Sequence, residues 1–420
     1  MKELSVHSLD LKEYLISSVR RALFSNVTRN IKYVVADLLG NKIKKFERNY
    51  MKIIYISNSI IPSRSANSIH VMKMCQSFAS LGHEVILLAP DFCDEYEKNI
   101  LDDFSFYNVE KTFKLVKLKV PKIKGKTFLY TLKIFLYLIN NKSDLVYGRF
   151  ILGCYLSTFI KRKTVFESHS SIYKDNKLSQ NIFNKLIRSS FFKKLVVISQ
   201  KLKDIYIEED IISEKIFVAH DGADEVKNLE EKISLKEYGK LNIGYIGHLY
   251  EGKGMEVIEQ IAPKLPDFRF HIVGGTLKDI EYWSEKMNFK NVFFYGFVRQ
   301  DLVQKYINSM DICLLPNQNI IFTHGDSKQN ISEYTSPLKM FEYMASKKAI
   351  IASDLPVLKE VLTPKNAYLV GYNDYDNWID AIHVLENENI RKEKGMQAYQ
   401  DFKVNYSWKQ RAKNILKAIE

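Results

Sequence analysis

From Met51 onward the chain predicts an α/β protein of two doubly wound domains, each a parallel sheet with helices on both faces, facing one another across a cleft. Three observations carry this. Residues 53–89 run as apolar strand, polar loop, amphipathic helix, glycine stop and second apolar strand, which is a βαβ unit. The same alternation starts afresh at Asn242, after a charged stretch at 225–240. Finally, 420 residues suffice for two cores at the usual ~100–200 residues per domain.

Taken in order, residues 1–50 show helix-like, basic stretches at 11–24 and 31–46 and no clear strand, and read as an appendage. The pattern changes at Met51. A buried strand at 53–57 leads through the loop 62–68 into a helix at 69–81, stopped by Gly82, and on to a strand at 84–89. Apolar runs at 115–120, 145–147, 164–167 and 195–199 continue the first sheet, and the turn-rich 220–224 closes a first domain of residues 51–224. Residues 225–240 read as a linker. The second domain, 241–406, has strands at 242–246, 268–273, 292–295, 312–315 and 349–353, with helices at 255–262 and from Ser336 onward. A last helix, within 407–420, follows a cap at Tyr406-Ser407. Ligands of open α/β sheets sit at the carboxyl ends of strands, so the loops after residues 56, 246, 273, 295 and 315 should line the cleft.

Composition narrows the class. Apolar residues make up 46% and charged residues 26%, a globular balance. Cys75, Cys93, Cys154 and Cys313 are scattered without paired spacing, which indicates neither a disulfide framework nor a zinc site and fits the cytoplasm. No signal peptide is visible, and the longest apolar run, 128–139, is broken by Lys133 and falls short of the ~20 residues of a spanning helix. The net charge of +13 is concentrated in the first half, where every charged residue from Lys111 through Lys142 is a lysine. Lysines interleaved with Phe, Leu and Tyr at 128–137 favour an anionic membrane surface over nucleic acid, because long cationic side chains snorkel around an apolar face. A solvated basic surface would look the same.

Three stretches carry chemistry. Gly247-His248-Leu249-Tyr250-Glu251-Gly252-Lys253-Gly254 joins a strand to a helix, the context of a phosphate cradle with Lys253 as its point charge. Gly254 stands where a nucleoside-triphosphatase loop needs Ser or Thr for magnesium, which argues against triphosphate hydrolysis. The loop 58–68 lacks glycine and is no dinucleotide fingerprint. His169 ends a predicted strand and should face the cleft. The nine histidines show no metal-ligand spacing. In Ser336-Pro337-Leu338-Lys339-Met340-Phe341-Glu342, Ser336 can cap a helix that Pro337 opens, with Lys347-Lys348 near its negative end. The amides of Leu338 and Lys339 would then face an anion, and Glu342, on the same face, could accept two sugar hydroxyls. The same residues would equally suit a capped core helix burying Leu338, Phe341 and Met344.

Together, Ser65-Ala66-Asn67-Ser68-Ile69-His70, Leu81-Gly82-His83-Glu84-Val85, Asp144-Leu145-Val146-Tyr147, Phe166-Glu167-Ser168-His169, the Gly247–Gly254 loop, Gly296-Phe297-Val298, Ser336 to Ala345 and Ser353-Asp354-Leu355-Pro356 resemble, in this order, the GT-B glycosyltransferases of family 4. The resemblance covers Met51 to the C-terminus. It implies retaining transfer from a nucleotide-sugar, without metal or other cofactor, the leaving phosphate helping to deprotonate the acceptor. It further implies that Lys253, with Gly247, His248 and the amides of Leu338 and Lys339, binds the donor diphosphate. Glu342 would hold the ribose, Val298 border the base, and Ala66 and Asn67 belong to the cleft loop of the first domain. His169 would lie near the transferred sugar, making His169 and Glu342 the catalytic pair. Two positions depart from the family pattern: His248 replaces an arginine, and Tyr334, with Glu333 one step off, replaces the first of two glutamates. Glu333 and Tyr334 are expected beside the sugar. The expected activity is hexose transfer from a UDP- or GDP-sugar to a lipid-linked or cell-envelope glycan acceptor at the inner face of the membrane. A nucleotide-sugar epimerase of the same architecture, or a non-catalytic binding or scaffold protein, are the alternatives.

Overall fold

The structure, a computed structural model, describes residues 50–420 apart from Cys93, Lys122, His324 and Gly325. The expected appendage lies outside the described residues except for Tyr50. Seven strands form the first sheet: β1 (Lys52–Ile56), β2 (Glu84–Pro90), β3 (Lys114–Leu118), β4 (Leu145–Gly148), β5 (Thr164–Ser168), β6 (Phe192–Val197) and β7 (Ile216–Val218). They are all parallel, in the order β3-β2-β1-β4-β5-β6-β7. The second sheet uses β8 (Asn242–Ile246), β9 (Arg269–Val273), β10 (Val292–Gly296) and β11 (Ile312–Leu315). A small hairpin of β12 (Phe322–Thr323) and β13 (Asp326–Asn330) follows, and β14 (Ala349–Ser353) and β15 (Tyr368–Val370) complete the sheet as β10-β9-β8-β11-β14-β15, again parallel.

The expectation of two doubly wound sheets therefore holds, and in each the strand order reverses once, at β1/β4 and at β8/β11. Those switch points are where crevices open for ligands. Sequence reading missed β7 and β15 because three residues at a sheet edge carry too little periodicity, and it missed the hairpin, whose second strand is polar throughout.

Two helix starts decide the site. Ala66–Ser80 begins ahead of the expected residue 69, because Ser65 caps it by accepting the Ser68 N–H. Leu338–Ala345 begins later than expected, with Pro337 itself in the capping position and no side chain capping it. The Ser336 hydroxyl is engaged instead by the Asp221 N–H, 3.0 Å away in the first half of the chain. Phe341, Met344 and Ala345 of this helix pack on Ile246, Leu315 and Ile350, each large apolar side chain contributing about 1.5–3 kcal/mol of burial. The Tyr343 hydroxyl accepts the Ile246 N–H at 2.9 Å and so ties the helix to the end of β8.

The stretch 225–240 holds no helix or strand and is pinned to the second half, where Asn308 donates to the carbonyls of Asn228 and Glu231. The last helix, Trp408–Ile419, is capped by Ser407 and returns to the first half. Ser407 bridges to Ala223, and Arg411 reaches the buried Glu167.

Candidate active site

On the second half, the chain leaves β8 into the Gly247–Gly254 loop. A Cβ on Gly254, whose φ is +92°, would lie 2.0 Å from the Pro316 carbonyl oxygen, so only glycine closes the loop here. The loop brings Lys253 toward the start of the Leu338–Ala345 helix, and burial pushes its ammonium down to about 8. Lys339 comes from that helix start. Its Nζ is buried without a hydrogen-bond partner among the described residues and rests 3.6 Å over the Tyr245 ring. Burial, then the charge of Lys253, hold it well below the ordinary lysine value, with Glu342 acting in the opposite sense. A Cβ on Gly247 would lie 3.3 Å from the same Nζ. Glu342 accepts a hydrogen bond from Gln300 Nε2 at 2.9 Å, and burial raises its carboxyl.

A buried ammonium, that of Lys339, and the partly buried one of Lys253 thus stand against one carboxylate, beside helix-start amides that no side chain caps. An unpaired buried charge is costly in the empty site, and an anion with two charges removes that cost. Helix-start amides add oriented donors to the same point.

Across the cleft, β5 carries Glu167 as its penultimate residue and is followed directly by His169. Glu167 is buried and takes four partners. Arg411 Nη2 donates to Oε1 at 2.9 Å, His169 Nε2 lies 2.7 Å from the same oxygen, and the Tyr147 hydroxyl donates to Oε2. His70 Nε2 is also 2.8 Å from Oε1, without hydrogen-bond alignment, while its Nδ1 bonds Asp221 at 2.8 Å. Burial, reinforced by the Arg149 charge, pushes His169 down to about 3, so the imidazole is neutral at physiological pH. With the Nε2 hydrogen assigned to Glu167, the Nδ1 lone pair is left for a ligand. His70, Glu167, His169 and Asp221 bring metal-type ligand atoms within 4.8 Å of one another. The Arg411 guanidinium already holds the carboxylate a cation would use.

The other expected residues are dispersed. Asn67 lines a first-half cavity with His169, and Ala66 is exposed at the start of its helix. Val298 is partly buried against the second-half core, and beside it Phe297 stacks under the Arg64 guanidinium at 3.9 Å. The His248 carbonyl accepts the Tyr245 hydroxyl at 2.5 Å, and its ring packs on Tyr250. Leu338 opens the helix. Glu333 is exposed. The Tyr334 ring is fully buried in a first-half cluster with Phe166, Ile172 and Tyr206, under Lys174, and its carbonyl accepts the Ser199 hydroxyl. Sequence reading missed Arg149, Gln300, Tyr245, His70, Asp221 and Arg411. Arg149 directly follows β4 and obeys the strand-end rule that selected His169, whereas the partners of Glu167 come from three distant elements.

The fold and this cleft define a GT-B protein. The model described as "Glycosyltransferase Family 4" matches residues 68–227 and the one described as "Glycosyl transferases group 1" matches residues 240–388, so the chain belongs to the family 4, group 1 glycosyltransferases. It is similar to the uncharacterized glycosyltransferase MJ1069 of Methanocaldococcus jannaschii, 27% identical over 291 residues, covering 62% of this chain and 69% of that protein. It is also similar to TuaH of Bacillus subtilis, whose name assigns it to teichuronic acid biosynthesis. The two are 26% identical over 165 residues, 39% of this chain and 38% of TuaH. Among solved structures, HepE of Anabaena in complex with UDP-glucose superposes with a TM-score of 0.64 at 14% identity, over 88% of this chain and all of HepE.

Proposed function

We propose that the chain transfers a hexose, with retention of anomeric configuration, from a UDP- or GDP-sugar to a lipid-linked or cell-envelope glycan. The observation that carries this is a pair of lysines at the β8/β11 switch point beside Glu342: Lys339, whose ammonium is buried without a hydrogen-bond partner among the described residues, and the partly buried Lys253. Two fixed ammonium groups and free helix-start amides match a diphosphate and stabilise the negative charge that grows on it as the anomeric C–O bond breaks. These cations do what a metal would otherwise do, and in this reading none is needed. Lys339 also supplies the charge that His248 does not. Glu342 accepts the ribose hydroxyls in place of Gln300. His169, neutral and held by Glu167, offers Nδ1 to a hydroxyl of the transferred sugar. The acceptor oxygen bonds the anomeric carbon on the face the phosphate leaves, and its proton passes to the departing phosphate oxygen. The relatives that name UDP-glucose and teichuronic acid support the donor class and the envelope acceptor.

A thermal-shift series with UDP, GDP and their sugars tests the donor. A nucleotide present at 100 times its Kd adds about 2.7 kcal/mol and raises the Tm, and the base is then named directly. Product analysis with and without envelope glycan follows. No nucleotide-dependent shift, or conversion of the free donor to an epimer without acceptor, overturns the proposal.

Membrane contact is part of the same reading. Among the described residues no helix is long and apolar enough to cross a bilayer. The helix Lys126–Asn140, however, buries Tyr130, Ile134 and Leu138 and leaves Phe128, Leu132, Leu136 and Ile139 exposed in one stripe, Phe128 at 70%. Lys124, Lys126 and Lys133 flank it, all exposed. Apolar side chains framed by lysines fit an anionic lipid surface. Vesicles containing phosphatidylglycerol should float the protein at low salt, less so at high salt, and Phe128→Glu/Leu136→Glu should remain at the bottom. Equal flotation of that variant removes this face from the proposal.

A further inference from the structure

One cation in the cleft has no part in the donor site. Arg149 directly follows β4, its backbone N–H donating to the Ile56 carbonyl at 3.0 Å, so the strand end itself fixes where the side chain starts. Its Nη1 is buried, with no hydrogen-bond partner, and no ion pair reaches the guanidinium among the described residues. It lines a cavity of about 510 Å³ whose walls are entirely first-half residues, at the carboxyl ends of the switch-point strands β1 and β4 and of β5. Asn67 lines the same cavity and leaves its own Oδ1 buried and unpaired among the described residues, and His169 is a further lining residue. Of the carboxylates on the lining, Glu167 is already held by Arg411, Tyr147 and His169, while Asp175 lies at the exposed rim. Among the described residues the guanidinium is therefore the one strong charge of the inner wall left without a counterpart.

We infer that this cavity is the acceptor pocket and that it takes a phosphate-bearing acceptor, whose phosphate pairs with Arg149. The inference rests on the transferase reading above and adds the acceptor's chemistry to it. A planar guanidinium binds phosphate through two parallel N–H donors, and an unpaired one in a half-closed cavity gains both the pairing and relief of its desolvation. The donor diphosphate is matched by Lys253 and Lys339 from the other half and leaves Arg149 free. At the mouth, Thr127 lies in the first turn of the helix whose outer face carries Phe128 and its lysine border, and the exposed Leu178 stands at the same rim. A phosphate held by Arg149 would thus have an apolar path leading away from it, which suits a lipid-linked phosphate.

The test uses the full chain carrying Lys253→Ala and Lys339→Met, so that the donor lysines cannot hold the probe. Affinities for farnesyl phosphate, farnesol, glycerol 3-phosphate and glycerol are compared before and after adding Arg149→Met or Arg149→Lys, with melting curves checking the fold. Arg149→Met should weaken the phosphate probes roughly tenfold or more and leave the alcohols unchanged, with Arg149→Lys in between. Loss confined to farnesyl phosphate identifies a lipid-linked acceptor. Equal loss for glycerol 3-phosphate identifies a headgroup recognised by itself. Unchanged phosphate affinity in Arg149→Met overturns the inference, and so does weakened UDP or GDP binding when Arg149→Met is placed in the otherwise unaltered chain, since Arg149 would then belong to the donor. If the unaltered chain binds no nucleotide at all, the transferase reading fails while the phosphate result is still read.

Discussion

Lys253→Ala and Lys339→Met are each expected to weaken donor nucleotide binding by about 1.5–3 kcal/mol, the value of a hydrogen bond to a charged group. The double variant should show no measurable transfer. The free protein should respond in the opposite direction. Lys339 Nζ is buried over Tyr245 with no hydrogen-bond partner among the described residues, so methionine keeps the packing and removes an uncompensated charge, and the Tm of the empty protein should rise. A residue needed only for folding would lower both quantities together. The pH dependence separates them again. Burial lowers the Lys253 ammonium from 10.5 to about 8, so between those values the unfolded chain binds more protons than the folded one. The stability of the empty protein therefore rises with pH across that window. A bound diphosphate favours the charged lysine, so donor affinity falls over the same window. Melting curves from pH 7 to 10, with and without nucleotide, should diverge at low pH and converge at high pH. A nucleotide-induced shift that is constant with pH would remove Lys253 from the phosphate site.

What the sequence made legible follows from the range of each interaction. The two sheets were readable because strands such as β1, β8 and β14 are continuous apolar runs bounded by turn residues. Lys253 was readable because the loop around it is local, its glycines set by nearby backbone. Lys339 was readable only as an amide at a helix start. Nothing local indicates that its side chain folds over Tyr245, the fourth residue of β8. Ser336 misled for a related reason. A serine before proline and a helix looks like a cap, but a backbone N–H at Asp221, 115 residues away, competes for the hydroxyl. Tyr334 aligns with a sugar-binding position in the resemblance, yet its ring fills the core of the other half, a fact set wholly by tertiary packing. His169 was singled out by its strand end, and the structure sets it against Glu167. The identity of its anchor, and of the residue that anchors that anchor in turn, depends on where the last helix lands.

That landing gives the second large effect. Arg411, 2% exposed, joins the last helix to the first half through Glu167 Oε1 and the carbonyls of His220 and Ala219. Arg411→Met keeps much of the volume and leaves a buried carboxylate with the two imidazoles and a phenol. Breaking a buried pair on one side costs about 3–5 kcal/mol. At roughly 2–4 °C per kcal/mol for domains of this size, the Tm should fall by about 6 °C or more. The pH sign follows from the carboxylates. Burial alone would raise Glu167, but Arg411 and His70 override it and hold the group well below its usual range; at Asp221 burial is likewise overridden, by His70 and His169. Their stabilisation is complete above the unfolded carboxylate values and is lost as pH falls through the depressed folded ones. The gap between the natural chain and Arg411→Met should therefore be widest near neutrality and narrow in acid. Adding Glu167→Gln removes the orphaned charge, so the double variant should be less destabilised than the sum of the single ones. It should also release the His169 imidazole from its fixed tautomer, lowering turnover while nucleotide binding by Lys253 and Lys339 persists. If Arg411→Met melts within a degree or two of the natural chain, the last helix is held by packing of Trp408, Ile415 and Leu416 alone, and the carboxylate cluster orients His169 without securing the fold.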